Sequence, residues 1–293
     1  MTNSGPFPGS SHPHHPQKLR PANMALQVLS DLHLEAPKAY DIFPITPKAP
    51  YLALLGDIGT VAAHKNDFLA FLTAQLRQFR AVLFVPGNHE AYHSTWPETL
   101  AILRQFEEDC RGKEGLGEFV LLDRGVYRLP EEGGKKTVVL GCSLFSRVAK
   151  EDQMAVEMGL NDFYKTEGWD IQQHNAAHER DLAWLNGQVG ELEKEEGDVR
   201  VVVLTHWMPT RDERATEARH KGSRITSGFS TDLKGERCWT SGRVRVWAFG
   251  HTHYNCDFVV ERGEAGPLRL VANQRGYYFS QTEGFDGERV VEV

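Results

Sequence analysis

The feature that most constrains the fold is a short apolar run whose end is marked by paired polar side chains. Residues 25–29 form this run, and Asp31 and His33 follow it closely. A continuous apolar run of this length is typical of a buried strand. Residues two apart at the end of a strand point to the same side. We therefore expect Asp31 and His33 to face one site together.

Four later apolar runs repeat this arrangement. They cover residues 51–55, 81–85, 201–204 and 244–249. The polar residues that follow them are Asp57, then Asn88 and His89, then His206, and finally His251 and His253. Open α/β sheets place their ligands outside the carboxyl ends of their strands. All five strand ends are therefore expected to contribute to one crevice.

Helical patterns lie between several of these runs. Apolar spacing predicts an amphipathic helix over 66–79, and further helices are predicted over 97–110 and 172–195. Shorter strands are expected near 119–122, 126–129, 137–141, 257–261 and 268–272. Helices between continuous apolar strands favour an α/β fold whose parallel strands are covered on both faces. No domain boundary is evident, so we expect residues 24–293 to form a single domain.

Composition and targeting signals indicate where in the cell the protein is expected. Residues 1–23 are rich in proline, serine, glycine and histidine and are predicted to be a disordered tail. No apolar run approaches the roughly 18 residues that cross a membrane, and no secretion signal is visible. Four scattered cysteines are interpreted as reduced thiols. These observations predict a cytoplasmic protein with no membrane partner.

The charge balance bears on the partner. The chain has 33 basic and 40 acidic residues, a formal net charge of −7. Proteins that bind nucleic acid without sequence preference are usually basic, so we do not expect nucleic acid as a partner. The oligomeric state is not indicated by the sequence.

The polar residues at the strand ends form a metal-binding donor set. They offer oxygen and imidazole ligands without thiolates, which suits Mn, Fe or Zn. The seven candidates are Asp31, His33, Asp57, Asn88, His206, His251 and His253. Seven ligands are too many for one such ion and about right for two. Asp57 is the natural bridge, because its carboxylate has two oxygens.

Such a centre would attract an anion. Two divalent ions with only two anionic ligands, Asp31 and Asp57, keep a net positive charge. Two ions about 3.5–4 Å apart commonly promote displacement at phosphorus. His89 adjoins a ligand without being needed as one. It is therefore the candidate acid that protonates the leaving oxygen.

The motifs together carry a family resemblance. Asp-x-His, Gly-Asp, Gly-Asn-His-Glu, a lone His after an apolar strand and Gly-His-Thr-His occur in this order. From residue 25 to about 273 the chain resembles the calcineurin-like metallophosphoesterase superfamily. The resemblance implies a four-layer α/β/β/α sandwich, in which two mixed sheets are flanked by helices and two metals lie at the strand ends.

The resemblance also implies roles for single residues. Asp31, His33, Asp57 and His253 would hold one ion, while Asp57, Asn88, His206 and His251 would hold the other. A metal-bridging hydroxide would be the nucleophile and His89 the general acid. The Ser/Thr protein phosphatases differ, since they have Arg at the position of Pro86 and Asp at that of Thr60. That branch is therefore not expected, and the residue that orients His89 stays open.

The substrate is defined only as a class. We expect a small phosphate ester, with a nucleotide as one candidate and a diester favoured over a monoester. Arg211 and Arg214 lie in a basic stretch after His206 and are candidate substrate-binding residues. A solvated loop is an equal interpretation, because acidic residues interleave. A nuclease of the same superfamily and a non-catalytic binding or scaffold protein remain as alternatives.

One histidine pair lies outside the motifs. His174 and His178 are four residues apart on a predicted helix, a spacing that can bind metal. Because the proposed site is already complete, we interpret them as part of a solvated or hydrogen-bonded helix face.

Overall fold

The computed structural model describes Met1 and residues 24–218 and 222–293. Apart from Met1, the predicted tail over residues 1–23 lies outside the described residues. The described strands are β1 (Ala25–Leu29), β2 (Tyr51–Leu54), β3 (Ala81–Phe84), β4 (Glu118–Leu121), β5 (Gly125–Arg128), β6 (Lys136–Cys142), β7 (Val199–Thr205), β8 (Val244–Phe249), β9 (Cys256–Val260), β10 (Leu268–Ala272), β11 (Gly276–Tyr277), β12 (Ser280–Gln281) and β13 (Val290–Glu292). The α-helices are α1 (Lys65–Leu76), α2 (Trp96–Cys110), α3 (Gln153–Gly159), α4 (Asp162–Lys165), α5 (Ile171–Leu192) and α6 (Arg237–Thr240).

The strands form two large mixed sheets and one small one. The first sheet has the order β13-β1-β2-β3-β4, in which β1 to β4 are parallel and β13 is antiparallel to β1. The second has the order β5-β6-β7-β8-β10-β9, with antiparallel β5 and β9 at its edges. The pairs Leu29 with Leu54 and Leu54 with Phe84 bring the carboxyl ends of β1, β2 and β3 level.

The two large sheets pack face to face through small and branched side chains. Val28, Ala53 and Leu83 of the first sheet belong to one buried cluster with Val202 and Ala248 of the second. Alternate residues of a strand point to opposite faces, so the neighbouring side chains must point outward. The layer between the sheets is therefore apolar along its length.

Helices cover the outer face of each sheet. Leu54 and Phe84 pack in one cluster with Phe68 of α1 and Leu103 of α2. On the other side, strand residues of the second sheet pack in a cluster with Leu185 of α5. Burial of each such side chain stabilises the fold by about 1.5–3 kcal/mol. The predicted four-layer α/β/β/α sandwich is confirmed.

Local signals explain where the main helices begin. Thr95 accepts a hydrogen bond from the backbone of Glu98 at the start of α2, and a proline follows in the first turn. Asp170 caps α5 in the same way by accepting from Gln173. None of the helices in the described ranges has both the length and the apolar character that a membrane crossing requires.

Candidate metal centre

The loops after five parallel strands meet at one edge of the sandwich. They bring the seven predicted ligands together in two groups. Ligand atoms of Asp31, His33 and His253 lie within 4.8 Å of one another, and so do those of Asp57, His206 and His251. The seventh residue, Asn88, joins the second group through Oδ1, which lies 3.0 Å from Nε2 of His206. The convergence that the strand ends predict is thus observed.

The first group is held by its neighbours. Nε2 of His253 lies 2.9 Å from Nε2 of His33 and 3.3 Å from Oδ1 of Asp31. Ser30 donates to Oδ2 of Asp31 at 2.5 Å, while Gln274 accepts from the backbone of His253 at 2.6 Å. These bonds leave the ring nitrogens and one carboxylate oxygen directed at a common point.

The second group places several hydrogen-bond acceptors against one another. Nδ1 of His206 donates to the carbonyl of Leu55 at 2.7 Å, so the neutral ring has its lone pair on Nε2. That nitrogen faces Oδ1 of Asp57 at 3.4 Å and Oδ1 of Asn88 at 3.0 Å, and both oxygens are acceptors. Among the described residues, buried Nε2 of His251 has no hydrogen-bond partner. Three facing acceptors and a bare imidazole nitrogen fit a divalent metal ion.

Electrostatics supports the same conclusion. Burial would lower the pKa of His206, but the charges of Asp57 and Asp31 outweigh it and raise the pKa to about 9. The field of the ligand set therefore favours positive charge at this point. A metal ion would satisfy that field while leaving the imidazoles neutral.

The amide of Asn88 is oriented by residues from a distant part of the chain. Nδ2 of Asn88 donates to Oδ1 of Asp162 at 2.8 Å and to the hydroxyl of Tyr92 at 3.1 Å. The Tyr92 hydroxyl in turn donates to the same Asp162 oxygen at 2.6 Å. Because both amide protons are engaged there, Oδ1 of Asn88 points toward His206.

Most of the ligands occupy an uncommon backbone conformation. Positive φ angles are found at Asp31 (52°), His33 (47°), Asp57 (53°), His251 (71°) and His253 (48°). Such angles are rare outside glycine and cost of order 1–3 kcal/mol per residue. They turn the chain sharply off the strand ends, so that side chains of both sheets face one point.

Two features bring the loops after β2 and β3 close together. Buried Glu90 accepts hydrogen bonds from the backbone of Asp57 at 2.9 Å and of Gly87 at 2.6 Å. A Cβ atom at Gly87 would collide with Oδ1 of Asp57. Glycine is therefore required at this close approach.

His89 lies beside the second group. Its backbone N–H donates to Oδ1 of Asp57 at 2.8 Å, and its Nδ1 lies 2.7 Å from Oε1 of Glu35. Nε2 lies 3.7 Å from Oδ2 of Asp57 and 3.5 Å from the hydroxyl of Tyr277. Burial would lower the pKa of His89, but the charges of Asp57 and Glu35 raise it to about 9. The two carboxylates thus favour the protonated form of the ring, and Nε2 faces the cavity.

A cavity of about 280 Å³ opens over these residues. Its lining includes Asp57, Asn88, His89, Tyr92, Leu160, Asp162, Phe229, His251, His253 and Tyr277. Four of the seven predicted ligands, Asp57, Asn88, His251 and His253, thus line one cavity with the predicted acid and with apolar and aromatic side chains. The motifs of the sequence did not mark Tyr92, Leu160, Asp162 or Phe229.

The structure places the two candidate substrate-binding arginines elsewhere. Within the described residues, neither Arg211 nor Arg214 is part of the cavity lining. The guanidinium of Arg214 pairs with Oδ2 of Asp212 at 2.8 Å and lies 4.2 Å from the ring centre of Phe258. Arg211 is exposed. A substrate-binding role for either residue stays a prediction.

The histidine pair on α5 is buried. His174 accepts from the Ser146 hydroxyl at 3.0 Å, and His178 donates to the carbonyl of Leu144 at 3.0 Å. The hydrogen-bonded interpretation of this helix face is therefore confirmed, while the solvated one is wrong because both side chains are shielded from solvent.

Comparisons with known proteins agree with this arrangement. The chain is 22% identical over 276 residues to an uncharacterised protein of Acanthamoeba polyphaga mimivirus, covering 86% of this chain and 91% of that protein. Its fold is similar to that of a phosphopantetheinyl hydrolase from Mycobacterium tuberculosis, with a TM-score of 0.62 and 17% identity over 87% of this chain and 90% of that one. The family model of the calcineurin-like phosphoesterases matches residues 24–255. The chain belongs to the calcineurin-like phosphoesterase family.

Proposed function

We propose that this protein is a dinuclear metal-dependent phosphoesterase that hydrolyses a small phosphate ester. The observation that carries the proposal is the pair of ligand groups, with His89 held beside them by Asp57 and Glu35 and facing the cavity. In this proposal one ion is held by Asp31, His33, Asp57 and His253. The other is held by Asp57, Asn88, His206 and His251.

Two divalent ions bound there would polarise the phosphoryl oxygens and supply the hydroxide that attacks phosphorus. The side chains of Asp57 and His89 have the remaining roles. Asp57 offers Oδ1 to the side of His206 and Oδ2 to the side of His89, so its carboxylate lies between a candidate ligand and the proposed acid. In this proposal His89 carries a proton on Nε2, which faces the cavity, and donates it to the leaving oxygen.

The lining of the cavity favours a diester over a monoester. Among its described residues there is no lysine or arginine, whereas Asp162 contributes a buried carboxylate whose Oδ2 has no hydrogen-bond partner there. A monoester dianion would meet this carboxylate without any compensating cation beyond the metal centre. A diester carries one negative charge less than a monoester dianion, so the Asp162 carboxylate repels it less.

The test is turnover of two matched aryl substrates with Mn²⁺. We expect hydrolysis of bis(p-nitrophenyl) phosphate to exceed that of p-nitrophenyl phosphate by about tenfold, which corresponds to about 1.4 kcal/mol. Turnover of neither, with two ions shown to be bound per chain, would contradict the proposal. A reversed preference would retain the phosphoesterase and reject the diester.

A substrate screen should follow the assay. The similar fold of a phosphopantetheinyl hydrolase makes a phosphopantetheinyl ester one compound to include. Cyclic nucleotides test the nucleotide expectation, and short DNA and RNA substrates test the nuclease alternative.

A further inference from the structure

We propose that Glu35 is a positioning residue that fixes His89 and the candidate ligand His33 through one carboxylate oxygen. This inference rests on the proposed function, because it assigns a task to a residue that acts through the proposed acid. It also identifies what orients His89, for which the sequence motifs offer no residue.

The carboxylate of Glu35 lies between two imidazoles. Its Oε1 is 2.7 Å from Nδ1 of His89 and 3.3 Å from Nδ1 of His33. The Glu35 side chain is 11% exposed, and within the described residues its Oε2 has no hydrogen-bond partner. The two rings also touch, with centres 4.4 Å apart and planes at 67°. One buried oxygen thus fixes two rings at once.

This contact decides which nitrogen each ring presents to the site. An ionised carboxylate only accepts hydrogen bonds, so both Nδ1 atoms must donate to Glu35. His33 is left with its Nε2 lone pair directed at the point shared with His253, 2.9 Å away. His89 is left with Nε2 at the cavity, beside Asp57 and Tyr277. Carboxylates commonly orient metal-binding histidines in this way.

The alternative orienting position does not reach the acid. Thr60 stands where the Ser/Thr protein phosphatases have a second Asp. Its hydroxyl lies 3.1 Å from Nδ1 of His64, and its backbone N–H donates to Tyr40 at 3.1 Å. Thr60 is therefore engaged by other partners, and the loop after β1 supplies the carboxylate that faces His89.

The main test changes Glu35 and compares two diesters that differ in their leaving groups. With saturating Mn²⁺, we expect Glu35→Ala to slow hydrolysis of diphenyl phosphate by about 10–100-fold. Hydrolysis of bis(p-nitrophenyl) phosphate, whose leaving group needs little protonation, should slow by less than about threefold. Glu35→Gln keeps an acceptor oxygen, so it should recover most of the diphenyl phosphate rate.

Two further measurements separate positioning from general damage. Asp41→Asn removes an exposed carboxylate from the same loop and should leave both rates unchanged. If Glu35 acts through His89, the double variant with His89→Ala should hydrolyse diphenyl phosphate no more slowly than His89→Ala alone. Metal analysis at saturating Mn²⁺ should find two ions per chain in Glu35→Gln.

Several outcomes would overturn the proposal. Equal slowing of both diesters by Glu35→Ala would show a role unrelated to the leaving group, and multiplied effects in the double variant would show action independent of His89. Loss of an ion from Glu35→Gln would make Glu35 itself a ligand. If the wild-type protein hydrolyses neither diester, the proposed function fails instead, which is a distinguishable result.

Discussion

Both oxygens of the Asp57 carboxylate contact other residues of the candidate centre. Oδ1 accepts from the backbone of His89 and faces His206, while Oδ2 faces the ring of His89. Its side chain therefore lies beside both a candidate ligand, His206, and the proposed acid. A change at this residue should affect more than one function of the site.

We expect Asp57→Asn to lose both bound ions and to reduce diester hydrolysis by more than about 100-fold. This loss is larger than the one that usually follows when a residue hydrogen-bonded to a metal ligand is changed. An amide removes one anionic oxygen from the bridge. Metal content per chain and the hydrolysis rate measure the two effects, with Asp109→Asn on the exposed end of α2 as the control. Retention of two ions by Asp57→Asn would remove the bridging role.

Asp162 illustrates a residue that acts at a distance along the chain. Without the Asp162 oxygen, the Asn88 amide keeps only the Tyr92 hydroxyl as an acceptor, so its Oδ1 is oriented less firmly. We expect Asp162→Ala to weaken binding of that ion by about 10–100-fold, while the first ion stays bound. Titration with Mn²⁺ measures both affinities, and Glu167→Ala in the following loop is the control. Unchanged affinities would show that Asn88 needs no such support.

The order of the strands determines which site residues could be predicted from the sequence. Parallel strands end at one edge of a sheet, so Asp31, Asp57 and His206 were predictable from strand order alone. Glu35 and Asp162 were not predicted as site residues, because their reach depends on loop paths that no periodicity encodes. Helices α3 and α4 were also missed, since only Val156 and Asp162 within them are buried. The short edge strand β13 offers too few residues to show a pattern.

Helix α5 contributes a buried histidine that makes the fold sensitive to acid. Burial, together with nearby His178, lowers the pKa of His174 to about 3, against 6.5 for a free side chain. The unfolded chain therefore binds a proton near pH 6.5 that the folded protein does not bind until about pH 3. The contribution of neutral His174 to the free energy of unfolding is fully present above pH 6.5. It is lost as the pH falls toward 3, by up to about 1.4 kcal/mol per pH unit.

We expect His174→Gln to lower stability at pH 7 but to flatten its fall between pH 6.5 and 4. Glutamine cannot be protonated there, so the unfolded chain gains no advantage from this position. Urea midpoints at pH 7, 5.5 and 4 measure the slope. Gln172→Asn, at an exposed position of the same helix, should keep the wild-type slope. A variant slope equal to that of the wild type would reject the assignment to His174.

Considered as a whole, the molecule places its centre across the boundary between two sheets. Asp31, Asp57 and Asn88 follow strands of the first sheet, whereas His206 and His251 follow strands of the second. The sheets meet through apolar contacts along their faces and through these polar side chains at one edge. A cation held there would bind the folded arrangement and not the unfolded chain.

Metal removal should therefore lower the melting temperature. An ion present at 100 times its dissociation constant stabilises the fold by about 2.7 kcal/mol, or about 5–10 °C for a chain of this size. Thermal melts with Mn²⁺ and with a chelator measure the shift, and Asp57→Asn should show little of it. An identical melting temperature under both conditions would contradict binding at this edge.

The left-handed backbone at five candidate ligand positions limits which residues can occupy them. Even at about 1 kcal/mol each, the five residues cost about 5 kcal/mol, a large share of the 5–15 kcal/mol that stabilises a typical domain. Aspartate and histidine, which adopt such angles more readily than most residues, occupy all five positions. The same residues thus supply the sharp turns and the donor side chains, and glycine there would ease the backbone only at the loss of a candidate ligand.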